Sequence, residues 1–87
     1  MEKSEIRKIL KHPSRDLVKL AMDYVNLTEK EKQIIEYVEI KEITEERTAE
    51  ILDISVRGLQ QIKQEAFEKL NIVWSKNIFI SMLLEKV

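Results

Sequence analysis

Residues 49–59 read AEILDISVRGL, and their order of small, apolar and capping side chains is the most informative in the chain. The small side chain of Ala49 lets two helices approach each other at a steep angle, and Ile54 can fill the space beneath the turn between them. Ser55 can cap the second helix through its hydroxyl oxygen. The stretch therefore predicts a short helix, a connection of about three residues and a longer helix, which is the pattern of a helix-turn-helix.

Toward the amino terminus, capping signals mark two more helix starts. Thr28 and Glu31 form a capping box, in which each side chain satisfies a free helical amide. Thr44 is a further N-cap, and Glu45 and Glu46 after it suit the positive end of a helix dipole. The helix after Thr28 is predicted to bury Ile34, Ile35 and Val38 and to turn four polar side chains to water, namely Glu29, Lys32, Glu36 and Glu39.

Apolar side chains at helical spacing predict two further buried stripes. The longer helix after Ser55 is predicted to bury Leu59, Ile62, Ala66, Phe67 and Leu70. Pro13 interrupts the chain between two amino-terminal helices, and Ser14 can cap the second of them. The stripe of that second helix is predicted to consist of Leu17, Leu20, Ala21, Tyr24 and Val25.

The composition favours one all-α domain. The chain has 87 residues, of which 44% are hydrophobic and 36% charged, with a single Gly and a single Pro. So few turn-forming residues exclude a sandwich or barrel of many short strands. We predict a compact helical bundle with three segments in one structural domain: a helical extension over 1–26, a helix-turn-helix core over 27–74 and an apolar helix over 75–87.

Several classes of function are excluded at this stage. Without cysteine the chain has no disulfide, no thiolate nucleophile and no zinc knuckle. The single histidine, His12, has no partner motif, the glutamates show no metal-ligand spacing, and no Gly-rich loop can hold a phosphate. We therefore expect no enzyme activity, no metal and no cofactor. Because no apolar run can span a bilayer and the amino terminus is polar, we expect a cytoplasmic protein without a membrane partner.

Several short segments of the sequence indicate a protein family. Five segments resemble the tetrahelical DNA-binding domain of LuxR/GerE-type regulators: Leu27-Thr28-Glu29-Lys30-Glu31, Ile34-Ile35, residues 49–55, Leu59 and Lys69-Leu70-Asn71-Ile72. They are almost equally similar to the fourth region of bacterial sigma factors, and the sigma-like match is closest over 56–62 and 66–70. The resemblance implies a central tetrahelical helix-turn-helix, duplex DNA as partner and a possible association with RNA polymerase.

The chain departs from both families at several positions. Thr48 stands where an aliphatic residue is usual, and Asp53 stands where the turn usually has Gly, although Asp tolerates left-handed backbone better than most residues. Primary sigma factors contact promoter bases through an Arg and a Glu at the two positions where this chain has Val56 and Arg57. Among the base-contacting positions of that family, only Gln61 of this chain has the matching residue. The departures imply that the DNA sequence recognised is not the standard minus-35 hexamer.

Exposed groups near the start of the longer helix are the candidate DNA-binding residues. Arg57 can form a bidentate pair of hydrogen bonds with guanine, glutamine can do so with adenine, and Val56 can touch a thymine methyl. The predicted base-contacting glutamines are Gln60, Gln61 and Gln64. The predicted phosphate contacts are Ser55, Lys63, Arg47 and Lys41. The alternative for this surface is an ordinary solvated helix face.

The charge distribution supports a second hypothesis. Residues 27–54 contain four Lys or Arg against nine Asp or Glu, a net charge of −5, and carboxylates facing a duplex would repel its phosphates. We therefore keep an alternative function, a sigma-like adaptor that docks on RNA polymerase or on another regulator.

The last helix carries more apolar side chains than one core contact requires. This excess predicts a homodimer through Ile78, Phe79, Met82, Leu83 and Val87. One alternative is that residues 4–26 cover the same surface within one chain, and another is attachment to a membrane surface.

Overall fold

The computed structural model describes residues 1–85, except for the side chains of residues 83 and 84, and this part of the chain is helical and contains no strand. The all-α prediction is thereby confirmed. The helices are α1 (Lys3–Leu10), α2 (Arg15–Asp23), α3 (Glu29–Ile34), α4 (Glu45–Leu52), α5 (Val56–Trp74) and α6 (Ile78–Glu85). A π-helical turn over Ile35–Ile40, called the π segment below, continues α3.

The chain divides into two units. The central unit consists of Leu27–Ala66, and the terminal unit combines Met1–Asn26 with the described part of Phe67–Val87. The division falls within α5, so that the first half of this helix belongs to the central unit and the second half to the terminal unit.

The terminal unit has an interior of large apolar side chains. Trp74 is completely buried, and its indole Nε1 donates a hydrogen bond of 2.8 Å to the backbone carbonyl oxygen of Ala21. Helix α6 packs against α1 and buries Ile80. The other buried side chains of this unit are Ile6, Ile9, Leu10, Val18, Ala21, Val25, Phe67 and Leu70.

The predicted buried stripe of α2 was partly wrong. Leu20 and Tyr24 are 44% and 48% exposed, and Val18, which was not predicted to be buried, is almost completely buried. The hydrogen bond from Trp74 brings the indole against the backbone of Ala21, so the inner face of α2 centres on Ala21 between Val18 and Val25. Apolar periodicity alone allowed more than one side of α2 to be the buried side. The contact with Trp74, which is far away in the sequence, determines which side is buried.

Side-chain caps begin three helices of the central unit as the sequence predicts. The Thr28 amide donates to Glu31 Oε1 at 2.7 Å and the Glu31 amide donates to Thr28 Oγ1 at 3.1 Å, which confirms the capping box. Thr44 Oγ1 accepts from the amide of Arg47 at 3.2 Å. Ser55 Oγ accepts from the amide of Gly58 at 3.0 Å. These caps fix where α3, α4 and α5 start.

The turn between α4 and α5 has the geometry of a helix-turn-helix. Asp53 lies in the left-handed region with φ 54° and ψ 50°, as its place in the turn led us to expect. The amide of Ile54 then donates to the carbonyl of Ala49 at 3.0 Å. Beneath the turn, Ile34, Ala49 and Leu59 form a buried cluster, against which five half-buried side chains pack: Val38, Leu52, Ile54, Val56 and Ile62.

The π segment changes which residues of its helix face inward. The amide of Lys41 donates to the carbonyl of Glu36 at 2.9 Å, a five-residue step that widens the turn. Glu39, which α-helical periodicity predicted to face water, is only 7% exposed, and its Oε2 lies 3.9 Å from Lys63 Nζ. That prediction was wrong because the wider turn breaks the α-helical register on which it depended.

Candidate nucleic-acid interface

The outward side of the first half of α5 carries a row of polar side chains. Arg57, Gln60, Gln61 and Gln64 are all exposed. Steps of three and four residues place them on one side of the helix, opposite the buried Leu59. Over residues 55–64 the sequence has two cations and no carboxylate, so this row offers hydrogen-bond donors and acceptors without negative charge.

Two residues at the amino end of α5 both build the helix and lie next to this row. Ser55 is exposed, and its Oγ caps the helix by accepting from Gly58, which leaves the hydroxyl proton available for donation. The cap is tight, because a Cβ at Gly58 would lie 3.0 Å from Ser55 Oγ. Val56 is half-buried against the cluster of Ile34, Ala49 and Leu59.

Two of the predicted DNA-binding residues make contacts with one carboxylate. Gln60 Nε2 donates to Glu45 Oε1 at 3.1 Å, and Lys63 Nζ donates to Glu45 Oε2 at 2.7 Å. Lys63 is 19% exposed in its side chain and also lies 3.9 Å from Glu39. The hydrogen bond from Lys63, reinforced by that from Gln60, lowers the pKa of the Glu45 carboxyl from its ordinary value. Lys63 and Glu45 therefore form a charged pair.

The two predicted phosphate contacts outside α5 are exposed and lie in the central unit. Arg47, on α4, pairs with Glu50 through an Nη1 to Oε2 distance of 3.4 Å. Lys41 Nζ lies 5.2 Å from the centre of the Tyr37 ring, a cation–π contact. Both contacts are at the surface and cost little to exchange for a phosphate.

An open groove of about 630 Å³ lies beside the start of α5. Three carboxylate residues border it, Glu46, Glu50 and Asp53, and the remaining lining residues are Ala49, Ile54, Ser55 and Val56. Carboxylates repel phosphates, so these three side chains oppose the phosphate contacts predicted for Ser55 in this groove and for Arg47 beside Glu50.

Of the residues predicted for dimerisation, Ile78, Phe79, Met82 and Leu83 belong to α6 in the terminal unit. Ile78 and Met82, one turn apart, are 79% and 50% exposed. Phe79 is half-buried, and its ring centre is 6.3 Å from that of Tyr24. The side chain of Leu83 and the whole of Val87 lie outside the described residues.

The contacts of Glu45 and Glu39 with α5 were not predicted from the sequence. Glu45 is 15 residues from Gln60 and 18 residues from Lys63, and no local pattern links positions at that separation. Within residues 1–85, no cluster of potential ligands suits a metal ion, and no helix has the length and hydropathy needed to cross a bilayer.

Comparison with known families gives one match. The family model for Sigma-70, region 4, matches residues 25–71, which is more than half of the chain. Searches of curated proteins and of solved structures found no match. Of the two families that the sequence resembles, the match is therefore to the sigma branch. Its members are helix-turn-helix DNA-binding domains rather than a catalytic family. The turn at Asp53 and the caps at Thr44 and Ser55 give the matched segment that geometry, and the chain belongs to the Sigma-70 region 4 family.

Proposed function

We propose that the protein is a small transcription regulator that binds duplex DNA with the first half of α5 in the major groove. The observation that carries this proposal is the exposed row of Arg57, Gln60, Gln61 and Gln64 on the second helix of the helix-turn-helix. A major groove admits one α-helix and displays a distinct pattern of donors and acceptors for each base pair. Binding of this kind needs neither catalysis nor a cofactor, and the protein would act in the cytoplasm with the DNA.

Each side chain of the row has a role that follows from its chemistry. Arg57 pairs with guanine through two parallel hydrogen bonds, and the glutamines pair with adenine, each pair giving about 1–3 kcal/mol of discrimination between bases. Val56 contacts a thymine methyl. Ser55, Arg47 and Lys41 bind phosphates and set the register of the helix on the duplex. The ammonium group of Lys63 instead contacts Glu45.

Salt-dependent binding to duplex DNA tests the proposal. We expect the protein to bind a mixed-sequence duplex at low salt, and a pool of random duplexes to yield a preferred sequence after selection. The double variant Arg57→Ala, Gln61→Ala should lose this binding with its circular dichroism unchanged. A matched control is Lys30→Ala, Gln33→Ala, which removes an exposed lysine and an exposed glutamine from α3. Absence of wild-type binding at low salt would overturn the proposal.

A second candidate is an adaptor that docks on RNA polymerase. The groove bordered by Glu46, Glu50 and Asp53 favours it, because a surface that repels phosphates suits a basic protein partner. If this function is right, purified bacterial RNA polymerase core binds the protein, and Glu46→Gln with Glu50→Gln weakens that binding. The same protein would then fail to bind duplex DNA at low salt.

We also propose that the protein is a homodimer through α6. Ile78 and Met82 place two apolar side chains one turn apart at the surface, which suits a two-fold interface in which each helix packs against its copy. We expect Met82→Asp, and likewise Leu83→Asp, to give a monomer in sedimentation. A wild-type protein that is already monomeric at high concentration would contradict this.

A further inference from the structure

Glu45 begins α4 and contacts the outward side of α5 at two points. Its Oε1 accepts from Gln60 Nε2 at 3.1 Å and its Oε2 accepts from Lys63 Nζ at 2.7 Å, so both carboxylate oxygens are occupied by α5. The side chains of Glu45 and Lys63 are 26% and 19% exposed, which makes this pair less accessible to water than the Arg47–Glu50 pair on the same unit. The contacts lie wholly within the central unit.

The first consequence concerns charge. Lys63 Nζ lies between Glu45 at 2.7 Å and Glu39 at 3.9 Å, so the positive charge of Lys63 is directed toward two carboxylates. An ammonium group held by carboxylates releases no counterion from a phosphate unless those contacts are broken. In this arrangement α5 presents Arg57 as the cation of its outward row.

The second consequence concerns the orientation of Gln60. An ionised carboxylate only accepts hydrogen bonds, so the amide nitrogen of Gln60 is the end that faces Glu45. The amide oxygen is then turned away from Glu45, and one of the two amide protons remains for a further partner. A glutamine fixed in this way presents one acceptor and one donor in a set orientation, which bidentate recognition of adenine requires.

We propose that Glu45 is a positioning residue that determines specificity: it orients Gln60 for base recognition and withholds Lys63 from phosphates. The inference rests on the proposed DNA-binding function. Sequence-independent affinity comes mainly from phosphate contacts, and sequence information comes from base contacts. By removing one phosphate contact and fixing one base contact, Glu45 shifts the balance of binding toward base recognition.

The test compares Glu45→Gln with Glu46→Gln. Both variants remove one negative charge at neighbouring positions of α4, but only the first removes the carboxylate that accepts from Lys63 Nζ at 2.7 Å. For Glu45→Gln we expect tighter binding to unselected duplexes. The plot of log affinity against log salt should also steepen by about 0.9, the contribution of one phosphate contact. For Glu46→Gln we expect the wild-type slope. A residue with a merely structural role would change stability without steepening the slope.

A double variant identifies the cation responsible. In Glu45→Gln, Lys63→Gln the slope should return to the wild-type value, because the released lysine is gone. Binding to the selected sequence relative to unselected duplexes should fall in Glu45→Gln, and more in Glu45→Ala, which has no acceptor left for Gln60. Circular dichroism and thermal unfolding of each variant verify that it is folded under the binding conditions.

The outcomes separate this inference from the proposed function. If the wild-type protein binds duplex DNA and Glu45→Gln has the slope of Glu46→Gln, the inference fails and the proposed function stands. If only Glu45→Gln binds, Glu45 withholds Lys63 as inferred, but the wild-type protein is not the proposed DNA-binding regulator. If neither binds at low salt, both are overturned.

Discussion

The terminal and central units of this small protein are stabilised by different interactions. The terminal unit buries Trp74 and a set of large aliphatic side chains, whereas the buried polar side chains of the described residues, Glu31, Glu39 and Thr48, all belong to the central unit. Apolar burial supplies free energy without direction, and hydrogen-bonded polar groups fix orientation at some cost in stability. In the central unit, the contacts of Glu31 with Thr28 and of Glu39 with Lys63 therefore fix helix positions, whereas the buried Thr48 hydroxyl has no hydrogen-bond partner among the described residues.

The largest effect is expected from the terminal unit. Trp74→Ala should lower the free energy of unfolding by about 3–5 kcal/mol, because it leaves a cavity and removes the hydrogen bond from the indole to the carbonyl of Ala21. Urea denaturation followed by circular dichroism measures this. Ile72→Ala on the same helix is the control, since Ile72 is 60% exposed and its loss should cost less than about 0.5 kcal/mol. Equal costs for the two variants would show that the terminal unit does not depend on its apolar interior.

The corresponding change in the central unit is Leu59→Ala. Leu59 is completely buried in the cluster with Ile34 and Ala49, and its truncation should cost about 2–5 kcal/mol. Ile51→Ala, at a position 46% exposed on α4, serves as control. Circular dichroism gives the midpoint of the urea-induced unfolding transition. The fluorescence of Trp74 follows the unfolding of the terminal unit in the same titration. If Leu59→Ala costs no more than Ile51→Ala, apolar packing does not hold α5 in the central unit.

Two threonines of α4 should respond in opposite directions to the same substitution. Thr48 is completely buried and its Oγ1 has no hydrogen-bond partner among the described residues, so Thr48→Val should raise the free energy of unfolding by about 1 kcal/mol. Thr44 caps the helix through the Arg47 amide, so Thr44→Val should lower it by about 1 kcal/mol. Thermal or urea denaturation shows whether each substitution raises or lowers the free energy of unfolding. A loss of stability in Thr48→Val would mean that its hydroxyl is satisfied in solution.

The smallest effect is the pH dependence of the pair formed by Glu45 and Lys63. Because the pKa of Glu45 is lowered in the folded protein, the pair stabilises it above the ordinary glutamate pKa, and this contribution disappears as the pH falls through the lowered pKa. At neutral pH we expect the free energy of unfolding of the wild-type protein to exceed that of Glu45→Gln by about 0.5–1 kcal/mol. The difference, measured by urea denaturation, should shrink as the pH falls below the ordinary glutamate pKa and vanish once the carboxyl is protonated in both the folded and the unfolded protein. A difference independent of pH would contradict the assignment.

Local signals predicted much of the fold. The capping box at Thr28, the caps at Thr44 and Ser55 and the left-handed turn at Asp53 all depend on neighbours within a few residues, and the structure has each of them. The inward turn of Glu39 was not predictable from α-helical periodicity, because a π-helical turn changes the register on which such reasoning depends. Apolar periodicity therefore predicts that a helix exists better than it predicts which side chains of that helix are buried.

The helices, their starts and the row of polar side chains on α5 were predictable from the amino-acid order, because these follow from spacing along one helix and from short-range capping. The face of α2 that meets Trp74 and the carboxylates that meet Lys63 depend on how distant segments pack in the folded chain. Those contacts join positions widely separated in the chain, and hydrophobic spacing contains no information about them. In the candidate interface, the sequence therefore supplied the chemical groups, and the packing of α4 and the π segment against α5 fixed their partners.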